Sequence, residues 1–157
     1  LLISQSRVPN AIWASAGAAE GETELNAFDN ALLAAKVGNL NLIRVSSVLP
    51  QDAQLLEEPP PITPGALVPT VYSVHVSARP GETVAAAIGI GVAEGSHGMI
   101  YESHGRSRQE VESAVRQMVA EGFARRGLQL KEVIVRSIEH KVERIGCAVA
   151  AVVLWWR

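Results

Sequence analysis

The sequence predicts an α+β protein in which antiparallel sheets carry helices on their outer faces. Three observations lead there. Segments of strand and helix character follow one another as β-α-β, then a run of β, then α-β-β. Both helical segments have a capping residue in front and apolar positions gathered on one side. The closing stretch, residues 145–156, is apolar at nearly every position. That suits a strand in the middle of a sheet, or one with a face covered by another subunit.

The 157 residues fit one domain, 1–157. A protein of this size buries roughly 70% of its unfolded surface, so stability needs neither disulfides nor a metal. Residues 8–19 (VPNAIWASAGAA) are extended in character and predict the first strand. Thr23 caps a helix over 24–37, with Leu25, Phe28, Leu32 and Ala35 at helical spacing and Gly38 as its stop. Residues 39–46 (NLNLIRVS) alternate as a strand, and Leu49-Pro50 stops it. Five prolines and three acids within 50–64 mark a surface crossing. A strand over 66–78 puts Val74 and Val76 on one face and Ser73, His75 and Ser77 on the other. Arg79-Pro80-Gly81 turns the backbone into a small-residue strand over 83–93, and a turn over 94–98 leads to a short strand over 99–103. The clearest helix covers 108–126. Ser107 and Glu110 fit a capping box, Val111, Ala114, Val115, Met118, Gly122 and Phe123 form its apolar stripe, and Gly127 ends it. Strands over 129–142 and 145–156 complete the sequence.

Net charge is −2 and aromatic residues make up only 4%. Neither phosphate attraction nor a base-stacking surface is present, so no nucleic-acid partner is expected. Residues 1–60 hold three cations against seven acids, which favours a cationic small molecule. Cys147 is the single cysteine, so there is no disulfide framework, and a reducing, cytoplasmic compartment is expected. The twelve residues of 145–156 are too few to span a bilayer as a helix, and Leu1-Leu2-Ile3 has no basic flank, so neither a membrane partner nor a secretory leader is expected.

Several chemistries are excluded by their missing residues. Gly89-Ile90-Gly91 lies within a strand, and Glu94 stands where a dinucleotide loop needs its third glycine. There is no phosphate-loop lysine and no Gly-x-Ser-x-Gly elbow. His97, Glu102 and His104 read better as solvated hairpin residues than as metal ligands, and no metal is expected. Taken singly, the remaining polar residues point to no chemistry. Ser46-Ser47 before Val48-Leu49-Pro50 is an ordinary turn pair, Glu102 an edge carboxylate, Asn41 an edge amide, and Asp29 a residue on the helix face away from Phe28 and Leu32.

Their context is specific. The stretch 21–50, GETELNAFDNALLAAKVGNLNLIRVSSVLP, strongly resembles the pyruvoyl-dependent arginine decarboxylases. The likeness continues in register through PGALVPT (64–70), PGET (80–83) and EHKVERIGCA (139–148). It implies a proenzyme that cuts itself between Ser46 and Ser47. The Ser47 hydroxyl attacks the Ser46 carbonyl and converts the amide to an ester. Elimination then leaves dehydroalanine, which hydrolyses to a pyruvoyl group on the new N-terminus. The products are a β chain, 1–46, and an α chain, 47–157.

The resemblance further implies decarboxylation of L-arginine to agmatine and carbon dioxide, through a Schiff base with the pyruvoyl ketone and without pyridoxal phosphate or metal. Glu102 is implied as proton donor, which requires a desolvated site that raises its pKa. Asn41 is implied in processing or substrate positioning, and Ser46 stays nearby as the new carboxyl terminus of the smaller fragment. Asp29 is implied to hold the guanidinium as a bidentate pair, with backbone carbonyls of Leu25, Gly38 and Leu40 as further acceptors. The implied fold is a four-layer αββα sandwich, assembled as a homotrimer of αβ protomers with active sites between subunits. Two alternatives stay open: a pyruvoyl-dependent decarboxylase of another amino acid, which would have no use for Asp29, and an unprocessed, non-catalytic trimeric homologue.

Overall fold

The computed structural model describes residues 7–46 and 48–157. The elements follow as β1 (Ala11–Glu20), α1 (Glu24–Ala34), β2 (Asn41–Arg44), β3 (Val48–Leu49), β4 (Gln54–Leu55), β5 (Leu67–Ser77), β6 (Thr83–Ala93), β7 (Gly98–Gly105), α2 (Arg108–Arg126), β8 (Leu130–Lys141) and β9 (Gly146–Trp155). A five-stranded sheet has the order β2-β5-β9-β1-β4, and a four-stranded sheet the order β3-β7-β6-β8. Neighbours are antiparallel except at the two ends of the larger sheet, where β2 runs parallel to β5 and β4 parallel to β1.

The strand β9 sets the layers. Ala148, Ala150, Val152 and Leu154 face the smaller sheet and pack with Ile12, Val71, Ile88 and Ile100. Cys147, Val149 and Val153 face the other way, against Ala27, Ala31 and Leu32 of α1. A central position covered on both sides therefore accounts for the apolar run, with no subunit needed. On the far side of the smaller sheet, Val111, Val115, Val119 and Phe123 of α2 cover Ala85, Ala87, Ala93 and Met99. The order is α1, larger sheet, smaller sheet, α2, the expected αββα sandwich. Among the described residues no helix is long and apolar enough to cross a membrane.

Helix ends follow local chemistry, with one correction. Thr23 Oγ1 accepts from the Asn26 amide at 3.1 Å and starts α1. Ser107 Oγ accepts from the Glu110 amide at 3.1 Å and starts α2, while the Glu110 carboxylate reaches one residue further back, to the Arg106 amide. Gly127 ends α2 at φ 65°. The first helix does not run to Val37, and Gly38 is not its stop. It ends at Ala34, and Lys36 takes the left-handed turn at φ 63°. The Lys36 amide bonds Leu33 O and the Val37 amide bonds Leu32 O, which closes a Schellman end. Val37 and Leu32 both lie in the α1 core, and their burial offsets the ~1–2 kcal/mol cost of a non-glycine residue in this conformation.

The region after β2 also differs from the sequence expectation. The backbone leaves the larger sheet after Arg44 and joins the smaller one at Val48. Within the proline-rich crossing, Gln54 and Leu56 donate backbone hydrogen bonds to Asn10 and Ile12, so β4 extends the edge beside β1. Such short strands are made by the edge that receives them and leave little trace in residue pattern.

A tight contact seats α1. A Cβ at Gly17 would run into the backbone of Ala31 and Ala35. Gly17→Ala is therefore expected to lower stability by about 1–3 kcal/mol through overpacking. Urea denaturation checks this, and an unchanged midpoint would show that α1 does not lie so close.

Candidate active site

The site begins where β2 ends. The Val45 amide bonds Thr70 O at 3.2 Å, the last rung between β2 and β5. Past it, exposed Ser46 lies on the path from the edge of the larger sheet to the edge of the smaller one. Ser47 lies outside the described residues. Val48 and Leu49 pair with Met99 and Gly98 on β7, the strand that also carries Glu102.

Glu102 stands opposite Ile88 of β6, so it shares the face of Ile88, which looks onto the larger sheet. It is half-buried. Burial pushes its carboxyl above the ordinary glutamate value, while the positive charge of Arg44 and the residue's own backbone amide act in the opposite direction. Arg44 itself is held elsewhere. Its guanidinium donates to Tyr72 O at 3.2 Å and lies 4.2 Å from the centre of the Tyr72 ring. Burial thus raises the proton affinity of Glu102, and a cation nearby limits the effect.

Two side chains of β5 reach across to β7 in the same region. Ser73 Oγ donates to Ser103 O at 2.6 Å, and His75 Nδ1 lies 2.6 Å from Gly105 O. The His75 ring meets that of His104 edge-on, with centroids 5.4 Å apart. These β5 residues, with Arg44 and Tyr72, were not among the sequence-predicted site residues. The alternation of Ser73, His75 and Ser77 with valines was their signal.

The other sequence-predicted residues sit elsewhere. Asp29 is exposed on α1, as is Leu25 at 74%. Their helix covers the face of the larger sheet that points away from the smaller sheet, so that sheet stands between Asp29 and Glu102. Gly38 and Leu40 help line a cavity of about 310 Å³ with Trp13, Lys36 and Pro61. The Asn41 side chain donates to Gly65 O at 2.8 Å and ties the start of β2 to the turn before β5. Among the described residues no group of three or more His, Cys, Asp or Glu side chains is placed to hold a metal ion. His97 directly precedes β7 and His104 lies near its far end, roughly 23 Å away along an extended strand.

A sandwich in which Ser46 stands where the backbone crosses between sheets, and in which β7 carries a half-buried carboxyl whose pKa is raised, has the layout of an enzyme. A model of the pyruvoyl-dependent arginine decarboxylases matches residues 11–156. The protein is 46% identical over 154 residues to the pyruvoyl-dependent arginine decarboxylase of Methanocaldococcus jannaschii, covering 96% of this chain and 93% of that one. To the proteins of the same name from Pyrococcus horikoshii and Methanococcus vannielii it is 51% identical over 144 residues and 44% identical over 155. The former match covers 89% of this chain and 91% of the relative, the latter 96% and 93%. The chain belongs to the pyruvoyl-dependent arginine decarboxylase family. The cofactor that this family name implies fits the residues present. Ser46, at the crossing, is followed in sequence by Ser47, and the Glu102 carboxyl accepts no hydrogen bond from another side chain among the described residues.

The electrostatics predict a titration. By NMR of ¹³C-labelled glutamate, the Glu102 carboxyl is expected to titrate above the ordinary glutamate value. In Arg44→Gln it should titrate higher still, because losing a nearby positive charge favours the neutral acid. A titration at or below the ordinary value in the unaltered protein would overturn the burial argument.

Proposed function

We propose that this protein cuts itself between Ser46 and Ser47, forms a pyruvoyl group from Ser47, and decarboxylates L-arginine to agmatine and carbon dioxide. The observation that carries the reading is half-buried Glu102, whose pKa burial raises, on β7, the strand that β3 joins after the crossing from Ser46. Cleavage yields the β chain 1–46, ending at Ser46, and the α chain 47–157. A pyruvoyl group supplies a ketone for the substrate amine and an adjacent carbonyl that takes up electrons as carbon dioxide leaves. Glu102 does the proton work. Its carboxyl holds a proton that it gives to the substrate α-carbon once the C–C bond has broken, and the carboxylate left behind takes up another before the next turnover. Neither pyridoxal phosphate nor a metal enters.

Asp29 holds the guanidinium through paired N–H···O bonds, and the carbonyls of Leu25, Gly38 and Leu40 add acceptors. Asn41, through its bond to Gly65 O, sets the course of β2 toward the cleavage point. Within one protomer the larger sheet separates Asp29 from Glu102, which supports a site built from two copies. The Asp29 surface of one protomer faces the Ser47 and Glu102 surface of the next, and the head-to-tail contact closes as a homotrimer of αβ protomers. Leu25, Val48, Ile43 and Leu67 lie near these surfaces, exposed at 74%, 48%, 45% and 67%, and assembly would remove them from water. A reducing cytoplasm accords with buried Cys147, whose thiol burial pushes up to about 12.

Intact mass under denaturing conditions, paired with carbon dioxide release from arginine, tests the reading. Two fragments, 1–46 and 47–157, with an N-terminal pyruvoyl on the larger, are expected. Glu102→Gln should still cleave but turn over about 10²–10⁴-fold more slowly. Asp29→Asn should cleave and lose activity on arginine. An uncut chain that releases no carbon dioxide overturns the proposal, and full arginine activity in Asp29→Asn removes that residue from the guanidinium site.

A further inference from the structure

We infer that Ser73 and His75 of β5 are positioning residues for Glu102, holding β7 at the height its proton transfer requires. This rests on the proton-donor role proposed for Glu102. The need arises from topology. β6 supports β7 along one side, but on the other, among the described residues, β3 pairs only with Gly98 and Met99. Among those residues the rest of β7, including Glu102, is an edge, and an edge tied on one side opens more readily than a central strand.

Ser73 and His75 supply ties from the opposing sheet. The Ser73 hydroxyl, only 3% exposed, donates to the carbonyl of the residue directly after Glu102. His75 Nδ1 bonds the carbonyl two residues further on. A carbonyl oxygen can only accept, so Nδ1 carries the hydrogen. This bond therefore persists whether the ring is neutral or protonated. The His75 ring also braces His104, which shares the face of Glu102 two positions along. Proton transfer is sensitive to placement, and a shift of about 1 Å can cost 10²-fold in rate.

Steady-state kinetics on the self-cleaved enzyme test this. Ser73→Ala and His75→Leu are expected to cleave fully and to lose about tenfold or more in kcat, with KM for arginine unchanged. Ser73→Thr keeps the hydroxyl, and His75→Asn places an amide N–H where Nδ1 stood, so both should recover most of kcat. His75→Gln reaches toward the Nε2 position and should not recover it, at a thermal midpoint matching that of His75→Asn. If His75→Leu does not fold, the contrast between Asn and Gln decides. Wild-type kcat in Ser73→Ala and His75→Leu, no difference between Asn and Gln, or a rise in KM alone overturns the inference. Glu102→Gln is measured alongside. If it is inactive while the β5 variants are unaffected, the positioning role alone falls; if it turns over normally, the role of Glu102 falls and this inference with it.

Discussion

Burial of β9 on both faces is the constraint on which the architecture depends. Every residue from Gly146 to Leu154 is buried, so the strand must have a sheet on one side and a helix on the other. It also pairs with β1 over ten positions and with β5 over eight. Each fully buried valine there contributes about 1.5–3 kcal/mol relative to exposure. Moving β9 to an edge would forfeit one ladder and one packed face together. With β9 at the centre, β1 and β5 become its neighbours, α1 must lie outside them, and the smaller sheet must close the other face.

The apolar interface does not extend unchanged to the margin formed by β5 and β7. Ile88 and Ile100 give way there to Glu102, Ser73 and His75, and the backbone crosses between sheets nearby. The raised pKa of Glu102 comes from this gradient. Deeper in the core an unpaired carboxyl would be too costly to retain, and on the open surface it would ionise at its ordinary value. At the margin it is half-buried, which raises its pKa while leaving it partly open to solvent. Arg44 could have undone this by pairing with Glu102, but Tyr72 engages its guanidinium through both carbonyl and ring.

What could be read in the sequence was what local periodicity and capping determine. Thr23, Ser107 and Gly127 mark helix ends because their side chains, or the lack of one, act on the adjacent backbone. The serines and histidine of β5 alternate because one face of that strand meets another sheet. What could not be read depends on through-space partners. Lys36 ends α1 although lysine has no preference for that turn, because Val37 finds a place beside Leu32. β3 and β4, of two residues each, exist because β7 and β1 offer open edges. The separation of Asp29 from Glu102 is likewise invisible in one dimension, since a motif records which residues are present and not which side of a sheet they occupy.

The topology also explains how the proposed cut is compatible with an intact fold. The break falls after Ser46, beyond the last rung of β2 and before β3, so it severs no strand ladder among the described residues. Residues up to Ser46 contribute β1, α1 and β2, all on the larger sheet. There β1 is an interior strand, flanked by β9 and β4 from the other fragment, and β2 lies on β5. Releasing the smaller fragment would mean pulling a ten-residue strand from the middle of a sheet and stripping α1 from β9. A connection between sheets, in contrast, gains freedom when cut, and Ser46 is already exposed. A bond placed there can be consumed to make a reactive group while the two pieces stay one protein.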